Sequence, residues 1–200
     1  LNWNKEEVEQ IYKKHCDTPS HIYKHLPRLL KLASECEIVC EIGVSTGRSS
    51  SALILGAKYK VFSVDMNFTS QARELEAFAE DKWRYIISKS VLAPLPNCDM
   101  LFIDGEHTYY ALNSELRRFA DKAKKYLVFH DTITFGSFGA KKETGTFLVD
   151  PNTVPTNPLQ DAEGLGIRPA IDELMIRDPS WKIKAHYVDC NGLLVLERTK

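Results

Sequence analysis

Val39-Cys-Glu-Ile-Gly-Val-Ser-Thr-Gly-Arg-Ser-Ser50 is an apolar run that breaks at two glycines and resumes as a serine-rich helix start. Val61-Phe-Ser-Val-Asp65 follows it, a second apolar run that ends on an acid. Strand, glycine turn, helix, second strand with a terminal carboxylate is the pattern of a nucleoside-binding half-sheet. Gly43 and Gly47 admit a tight turn and a close approach of backbone to ligand, with Ser45 between them. Asp65 stands where a carboxylate accepts hydrogen bonds from ribose hydroxyls. The full Gly-x-Gly-x-x-Gly of a dinucleotide site is missing, so the spacing favours a nucleoside cofactor.

Working outward, apolar strands alternate with amphipathic helices. Strands are expected at 38–42, 60–64, 84–88, 100–103 and 126–129, with helices at 48–55, 70–79 and 109–123 between them. Two helices precede this core, one over 5–14 and one over 20–34 with Ser20 as its N-cap. The alternation predicts an α/β fold: a mostly parallel sheet with right-handed crossovers and helices on both faces. A last helix over 167–177 leads into strands 181–188 and 193–197, and Asn191-Gly192 between them is a tight-turn signal for an antiparallel hairpin. Residues 133–166, rich in Gly, Pro, Thr and Asn, are expected to form a mobile active-site loop.

The chain has 200 residues, 44% of them hydrophobic, enough to fill one core, and residues 1–200 are read as a single domain with residues 1–36 as its N-terminal helices. Its 26 basic and 27 acidic side chains give no electrostatic reason for a polyanionic partner. The expected partner is a small molecule, not nucleic acid or a membrane; the sequence leaves homo-oligomerisation open. No apolar stretch reaches the roughly 18 residues of a membrane span, and the opening Leu1-Asn-Trp-Asn-Lys-Glu-Glu is too polar for a secretion signal. Five cysteines with no Cys-x-x-Cys pair fit neither a disulfide framework nor a zinc site, which points to a cytoplasmic protein; Cys40 and Cys98 read as small buried hydrophobes.

Two further strand ends carry chemistry. Leu101-Phe-Ile-Asp104-Gly-Glu-His107 and Leu127-Val-Phe-His130-Asp131 end on one rim of a parallel sheet, so Asp104, Glu106, His107, His130 and Asp131 are expected to converge. Asp104 and Asp131 offer hard oxygen ligands suited to Mg²⁺, Ca²⁺ or Mn²⁺, and a neutral imidazole beside such a cation is a competent general base. The plainer alternatives are a helix cap for Asp65 and caps plus a core histidine for the cluster.

These motifs carry a family resemblance. The stretches Pro19-Ser-His-Ile-Tyr-Lys-His-Leu-Pro-Arg-Leu-Leu, Glu41-Ile-Gly-Val-Ser-Thr-Gly-Arg-Ser-Ser, Cys98-Asp-Met-Leu-Phe-Ile-Asp-Gly-Glu-His-Thr-Tyr and Val128-Phe-His-Asp-Thr resemble the class I S-adenosylmethionine-dependent methyltransferases. Within them the chain is most similar to the branch holding macrolide-sugar O-methyltransferases and proteins named cephalosporin hydroxylases. The resemblance implies a Rossmann-like seven-stranded sheet with a reversed final hairpin, S-adenosyl-L-methionine as cofactor, and O-methylation of a small-molecule hydroxyl assisted by a divalent cation such as Mg²⁺. It assigns Glu41, Gly43, Ser45 and Gly47 to the methionine side of the cofactor, Asp65 to the ribose and Ser90 to the adenine. Asp104 counts with both the cofactor and the metal, Asp131 with the metal, and His107 as the catalytic base. Position 130 departs from relatives that place an acid there, and His130 joins the candidate metal ligands.

Two other readings compete. Gly43-Val-Ser-Thr-Gly47 also spells the nucleophile elbow of α/β-hydrolases, although it follows the first strand and leaves Asp65 without a role. A cofactor-binding protein of the same fold without methyl transfer, or with other chemistry, is the nearer rival.

Overall fold

The structure, a computed structural model, describes residues 2–139 and 164–199. Seven strands form one sheet: β1 (Ile38–Ile42), β2 (Lys60–Asp65), β3 (Trp83–Ile87), β4 (Cys98–Ile103), β5 (Ala123–His130), β6 (Trp181–Tyr187) and β7 (Leu193–Arg198). Their order is β3-β2-β1-β4-β5-β7-β6. β1 to β5 pair in parallel, while β7 runs antiparallel to both β5 and β6. This is the expected mixed sheet, with the hairpin turned by Cys190, Asn191 and Gly192 at φ 46°, 67° and 94°.

Alternation along each strand sorts the core onto two faces. Val39, Val61, Met100, Phe102, Val128 and Val195 face α1 (Lys5–Asp17), α2 (Leu26–Ala33), α3 (Arg48–Gly56) and α4 (Ser70–Ala79). Cys40, Ile42, Leu101, Ile103, Leu127 and Leu194 face α5 (Tyr109–Phe119) and α6 (Arg168–Arg177). Cys40 and Cys98 are buried as expected, and all five thiols are free.

Several boundaries differ from the sequence reading. The helix expected over 20–34 begins only at Leu26, after a 3-10 turn Tyr23–His25. Pro27 explains this, because proline fits the first turn of a helix and not its interior. Ser20 accepts from Ile22 N instead of capping a helix, and the carbonyl of His21 is left for another partner. α5 stops at Phe119 and a 3-10 turn Ala120–Lys122 follows, so β5 starts at Ala123, three residues early.

Of the expected loop 133–166, the central residues 140–163 lie outside the described residues, but both roots are seen. They form a short antiparallel ribbon: Phe138 bridges Leu165, Gly139 N donates to Gly164 O (3.0 Å) and Gly166 N to Ser137 O (3.0 Å). Ile167 N and Arg168 N donate to Phe135 O and Gly136 O, tying the ribbon to the start of α6. No described helix is long and apolar enough to cross a membrane.

Candidate active site

The C-terminal ends of β1, β2, β4 and β5 make one rim. On its first half, β1 leaves through a turn in which Gly43, Ser45 and Gly47 have φ 87°, 50° and 77°. A Cβ on Gly43 would lie 2.0 Å from Asp104 O, so only glycine lets this turn press against the end of β4. Asp65 straps the turn across the strand ends: its Oδ2 accepts from Val44 N (2.9 Å) and Ser45 N (3.0 Å), and its Oδ1 from Asn67 N (3.1 Å). Thr69, not Asp65, caps α4, accepting from Ala72 N, and its hydroxyl also donates to Ser45 O. The helix-cap alternative for Asp65 is therefore wrong. α3 has Gly47 as its N-cap with no side-chain bond, which leaves backbone N–H groups facing the rim. Its far end is held by Lys82 Nζ, which donates to Ala57 O (2.5 Å) and Lys58 O (3.1 Å).

Glu41, assigned by resemblance to the cofactor, turns its carboxylate into the core. It is fully buried and accepts from Ser49 Oγ (2.6 Å), Ser50 Oγ (2.6 Å) and Ser63 Oγ (2.5 Å), with Trp83 Nε1 donating to Ser63 Oγ (2.8 Å). Burial pushes its pKa up to about 7 although the three hydroxyls favour the ionised form. The correction has a physical reason: with α3 and β2 supplying three donors inward, the carboxylate binds framework and not rim. The pair Ser49-Ser50 was its signal in the sequence.

The second half of the rim is an acid–imidazole cluster. His107 Nε2 lies 2.7 Å from Asp131 Oδ2 and 3.4 Å from Asp104 Oδ1. His130 Nδ1 lies 3.0 Å from Asp104 Oδ1 and 3.6 Å from Asp131 Oδ2. Burial alone would raise the Asp104 pKa, but the two imidazoles outweigh it and hold the carboxyl well below the usual range. Burial disfavours the imidazolium forms, yet Asp104 and Asp131 raise His107 to about 9, and chiefly Asp104 does the same for His130. Asp131 itself sits at φ 58°, a backbone state rare outside glycine and typical of functional sites, and its buried Oδ1 has no hydrogen-bond partner among the described residues. The His107 ring stacks on Phe135, centroids 4.8 Å apart, at the root of the 133–139 segment. Glu106, expected to converge here, stays exposed outside the cluster, where its carboxylate accepts from Thr108 Oγ1.

The residues whose ligand atoms lie within 4.8 Å of one another are Asp104, His107 and Asp131. Two carboxylates, an imidazole and the orphaned Asp131 Oδ1 suit a hard divalent cation whose other positions water or substrate would fill. His130, expected among the ligands, does not belong to that group. Its Nε2 lies 3.1 Å from His21 O and 3.0 Å from Cys190 O, and its Nδ1 faces Asp104. All three partners only accept, so both ring nitrogens carry protons, and a doubly protonated imidazole has no lone pair for a metal. The two carbonyls are placed by an anchor between α2 and the hairpin turn: Arg28 binds the Asp189 carboxylate (2.7 and 3.3 Å) and His25 Nδ1 (2.7 Å), while His25 Nε2 donates to Asp189 O (2.8 Å). Nothing in the sequence pattern marks carbonyl partners of this kind.

Ser90 opens a 3-10 turn (Ser90–Leu92) after β3 and lies beside Glu115 of α5. Ser45, the serine of the elbow reading, bonds Asp65 and Thr69 through its backbone, and no described histidine bonds it.

Residues 40–132 match the model of a family described as a methyltransferase domain. Among solved structures, the chain is similar to an O-methyltransferase from Bacillus cereus in complex with S-adenosylhomocysteine, at 15% identity, TM-score 0.63, covering 98% of this chain and 90% of that one. It is similar to the S-adenosylhomocysteine-bound methyltransferase PaMTH1 from Podospora anserina, at 14% identity, TM-score 0.59, covering 100% and 98%. It is also similar to the N-methyltransferase NodS from Bradyrhizobium japonicum, at 13% identity, TM-score 0.58, covering 92% and 99%. No curated protein matches the chain in sequence.

Proposed function

From a chain with the class I S-adenosylmethionine-dependent methyltransferase fold and a methyltransferase-domain match, we propose an enzyme that moves the methyl group of S-adenosyl-L-methionine onto a hydroxyl of a small molecule. The observation that carries this is the cluster of Asp104, His107 and Asp131 one strand away from the glycine turn, since a protein that only binds cofactor has no use for a paired carboxylate and imidazole there. The matched solved structures include both O- and N-methyltransferases, so the acceptor atom is argued from the cluster and not from the fold.

Asp65, Gly43, Ser45 and Gly47 would hold the nucleoside and methionine ends of the cofactor. Asp104 and Asp131 would hold a divalent cation such as Mg²⁺, which would supply positive charge that makes a bound hydroxyl more acidic. His107 Nε2 carries a proton while it faces the two carboxylates; with a cation neutralising them it would lose that proton, and it would then take the hydroxyl proton as the oxygen attacks the methyl in line and the carbon–sulfur bond breaks. One nitrogen cannot both ligate the cation and accept the proton, so Nε2 is assigned to the proton and the carboxylates to the cation. Free thiols and a near-neutral charge support a cytoplasmic setting and a small-molecule partner, with residues 1–200 acting as one domain.

Turnover of labelled S-adenosyl-L-methionine with a panel of hydroxylated acceptors tests the reading. Chelation should abolish methyl transfer and leave cofactor affinity nearly intact, because Asp65 and the glycine turn do not touch the cation. His107→Ala should slow transfer by about 100-fold or more at neutral pH, with partial recovery at high pH, and His130→Ala should cost less. Full activity in excess chelator removes the cation; cofactor binding without turnover on any acceptor leaves a binding protein of this fold.

A further inference from the structure

One tight turn supplies two of the contacts that orient His107. The chain leaves β5 at Asp131 and folds back at once: Phe135 N donates to Asp131 O (2.9 Å), and a Cβ on Gly136 would lie 2.3 Å from Thr132 O, so only glycine closes the turn there. From this turn Asp131 Oδ2 faces His107 Nε2 at 2.7 Å, and the half-buried Phe135 lays its ring on the imidazole, 4.8 Å between centroids and 19° between planes. The carboxylate fixes one atom of the imidazole, and the phenyl face fixes its plane.

The ribbon holds that turn in place. Ile167 N donates to Phe135 O (2.9 Å), and a Cβ on Gly166 would stand 2.1 Å from the same oxygen. The ribbon also rests on the backbone around the base: the Cβ position of Gly139 is 3.3 Å from His107 O, and Tyr109 N donates to Leu165 O (3.0 Å). Backbone and ring of His107 are therefore set by one element. A histidine ring turns about two side-chain bonds, the second of them softly, and when Nε2 leaves Asp131 for an acceptor hydroxyl it gives up a bond that had oriented it. The phenyl face is the contact that remains, because stacking does not engage the ring nitrogens.

We propose that Phe135 is a positioning residue for methyl transfer: its ring holds the His107 imidazole in the plane from which Nε2 reaches the acceptor proton. The proposal rests on the reading of His107 as general base. Without the stack the imidazole samples orientations in which Nε2 misses the hydroxyl, and misplacing a reacting group by about 1 Å costs on the order of 100-fold in rate. The glycine turn and Asp65 do not contact Phe135, so cofactor binding is untouched.

Single-turnover kinetics of the full chain with labelled S-adenosyl-L-methionine and the best acceptor of the panel, paired with calorimetry on S-adenosylhomocysteine, test it. Phe135→Leu, which keeps an apolar side chain and loses the flat face, should slow transfer by about tenfold or more while cofactor affinity stays within about twofold; Phe135→Tyr, which keeps the face, should recover most of the rate. In a His107→Ala background Phe135→Leu should change the rate by less than about twofold, since it acts only through the imidazole. Equal losses with and without His107, or a Phe135→Leu variant at the wild-type rate, overturn the proposal. The stack is also read without any change at position 135: in wild-type NMR spectra the His107 ring protons, assigned by their loss in His107→Ala, should lie upfield of an unstacked imidazole, and unshifted signals overturn it. Absence of turnover on every acceptor overturns the general-base reading itself, a result that the ring shift keeps apart from failure of the stack.

Discussion

At the β1–β2 end of the rim the buried carboxylate and its half-buried neighbour are supplied with donors by the chain: Glu41 has Ser49, Ser50 and Ser63, and Asp65 has three backbone N–H groups. At the β4–β5 end no partner among the described residues bonds Asp131 Oδ1, at a left-handed backbone position, or Glu115 Oε2 beside Gly105. Both halves sit on adjoining strands of one sheet and differ in what completes them. The first half is finished by the fold and can present a preformed turn. The second holds its charge through mutual bonds among Asp104, His107, His130 and Asp131, and the orphan Asp131 Oδ1 marks where something from outside belongs.

The contrast breaks most visibly where the halves touch. Gly43→Ala would drive a methyl group to within 2.0 Å of Asp104 O at a φ of 87°, and we expect a loss of about 4 kcal/mol or more in stability, read by denaturant unfolding. A near-wild-type midpoint would mean the halves are not pressed together. Asp65→Ala tests whether the finished half also serves a ligand: loss of charge-assisted bonds to a ribose should weaken cofactor binding by roughly 2–4 kcal/mol, about 30- to 1000-fold, in calorimetry. Unchanged affinity would reduce Asp65 to a strap on the turn.

Glu41 sharpens the comparison through pH. Its folded pKa, about 7, is raised above the ordinary 4.5, so its stabilising contribution is full below about pH 4.5, declines as pH rises toward 7 and is gone above it. The shift corresponds to at most about 3 kcal/mol. Glu115 contributes a slope of the same sign, so Glu41→Gln should remove only part of the fall in unfolding midpoint between pH 5 and 8; an unchanged slope would place the titration elsewhere. The smallest effect is expected from Thr69→Ala, which removes the α4 cap and the bond to Ser45 O and should lower stability by about 1 kcal/mol with a parallel melting curve. A larger loss would show that the turn leans on α4 more than on Asp65.

Much of this was readable before the structure. Strand alternation gave the sheet, its helical faces and the hairpin at Asn191-Gly192, because side-chain period and turn chemistry are local properties. Strand-end logic put Asp104, His107 and Asp131 together, since parallel strands deliver their C-terminal ends to one edge. It failed for Glu106, whose side chain the rim leaves in solvent; the resemblance, not the strand ends, put Glu41 with the cofactor, and its inward turn depends on serines from two other elements. Strand-end logic brought His130 to the cluster, as found, but as a metal ligand, the role that came with the resemblance, His130 is ruled out because the carbonyls of His21 and Cys190, remote in sequence, claim Nε2. Backbone carbonyls are the same at every residue, so no pattern of side chains announces them. Glu115 was missed for a related reason: an acid on the apolar face of a helix reads as an ordinary polar interruption until the neighbours that fail to bond it are known.

The ribbon that joins residues 135–139 to 164–168 carries a consequence for how this chain can vary. Because Gly139 and Gly164 are bonded to each other, whatever lies between them departs from and returns to a single point beside Phe135 and His107. An excursion closed at its base is an interchangeable module. Each doubling of its length adds only about 0.6 kcal/mol of closure entropy. Segments of different size and composition can therefore be traded between these two glycines while the sheet, the glycine turn and the strand-end carboxylates keep their places.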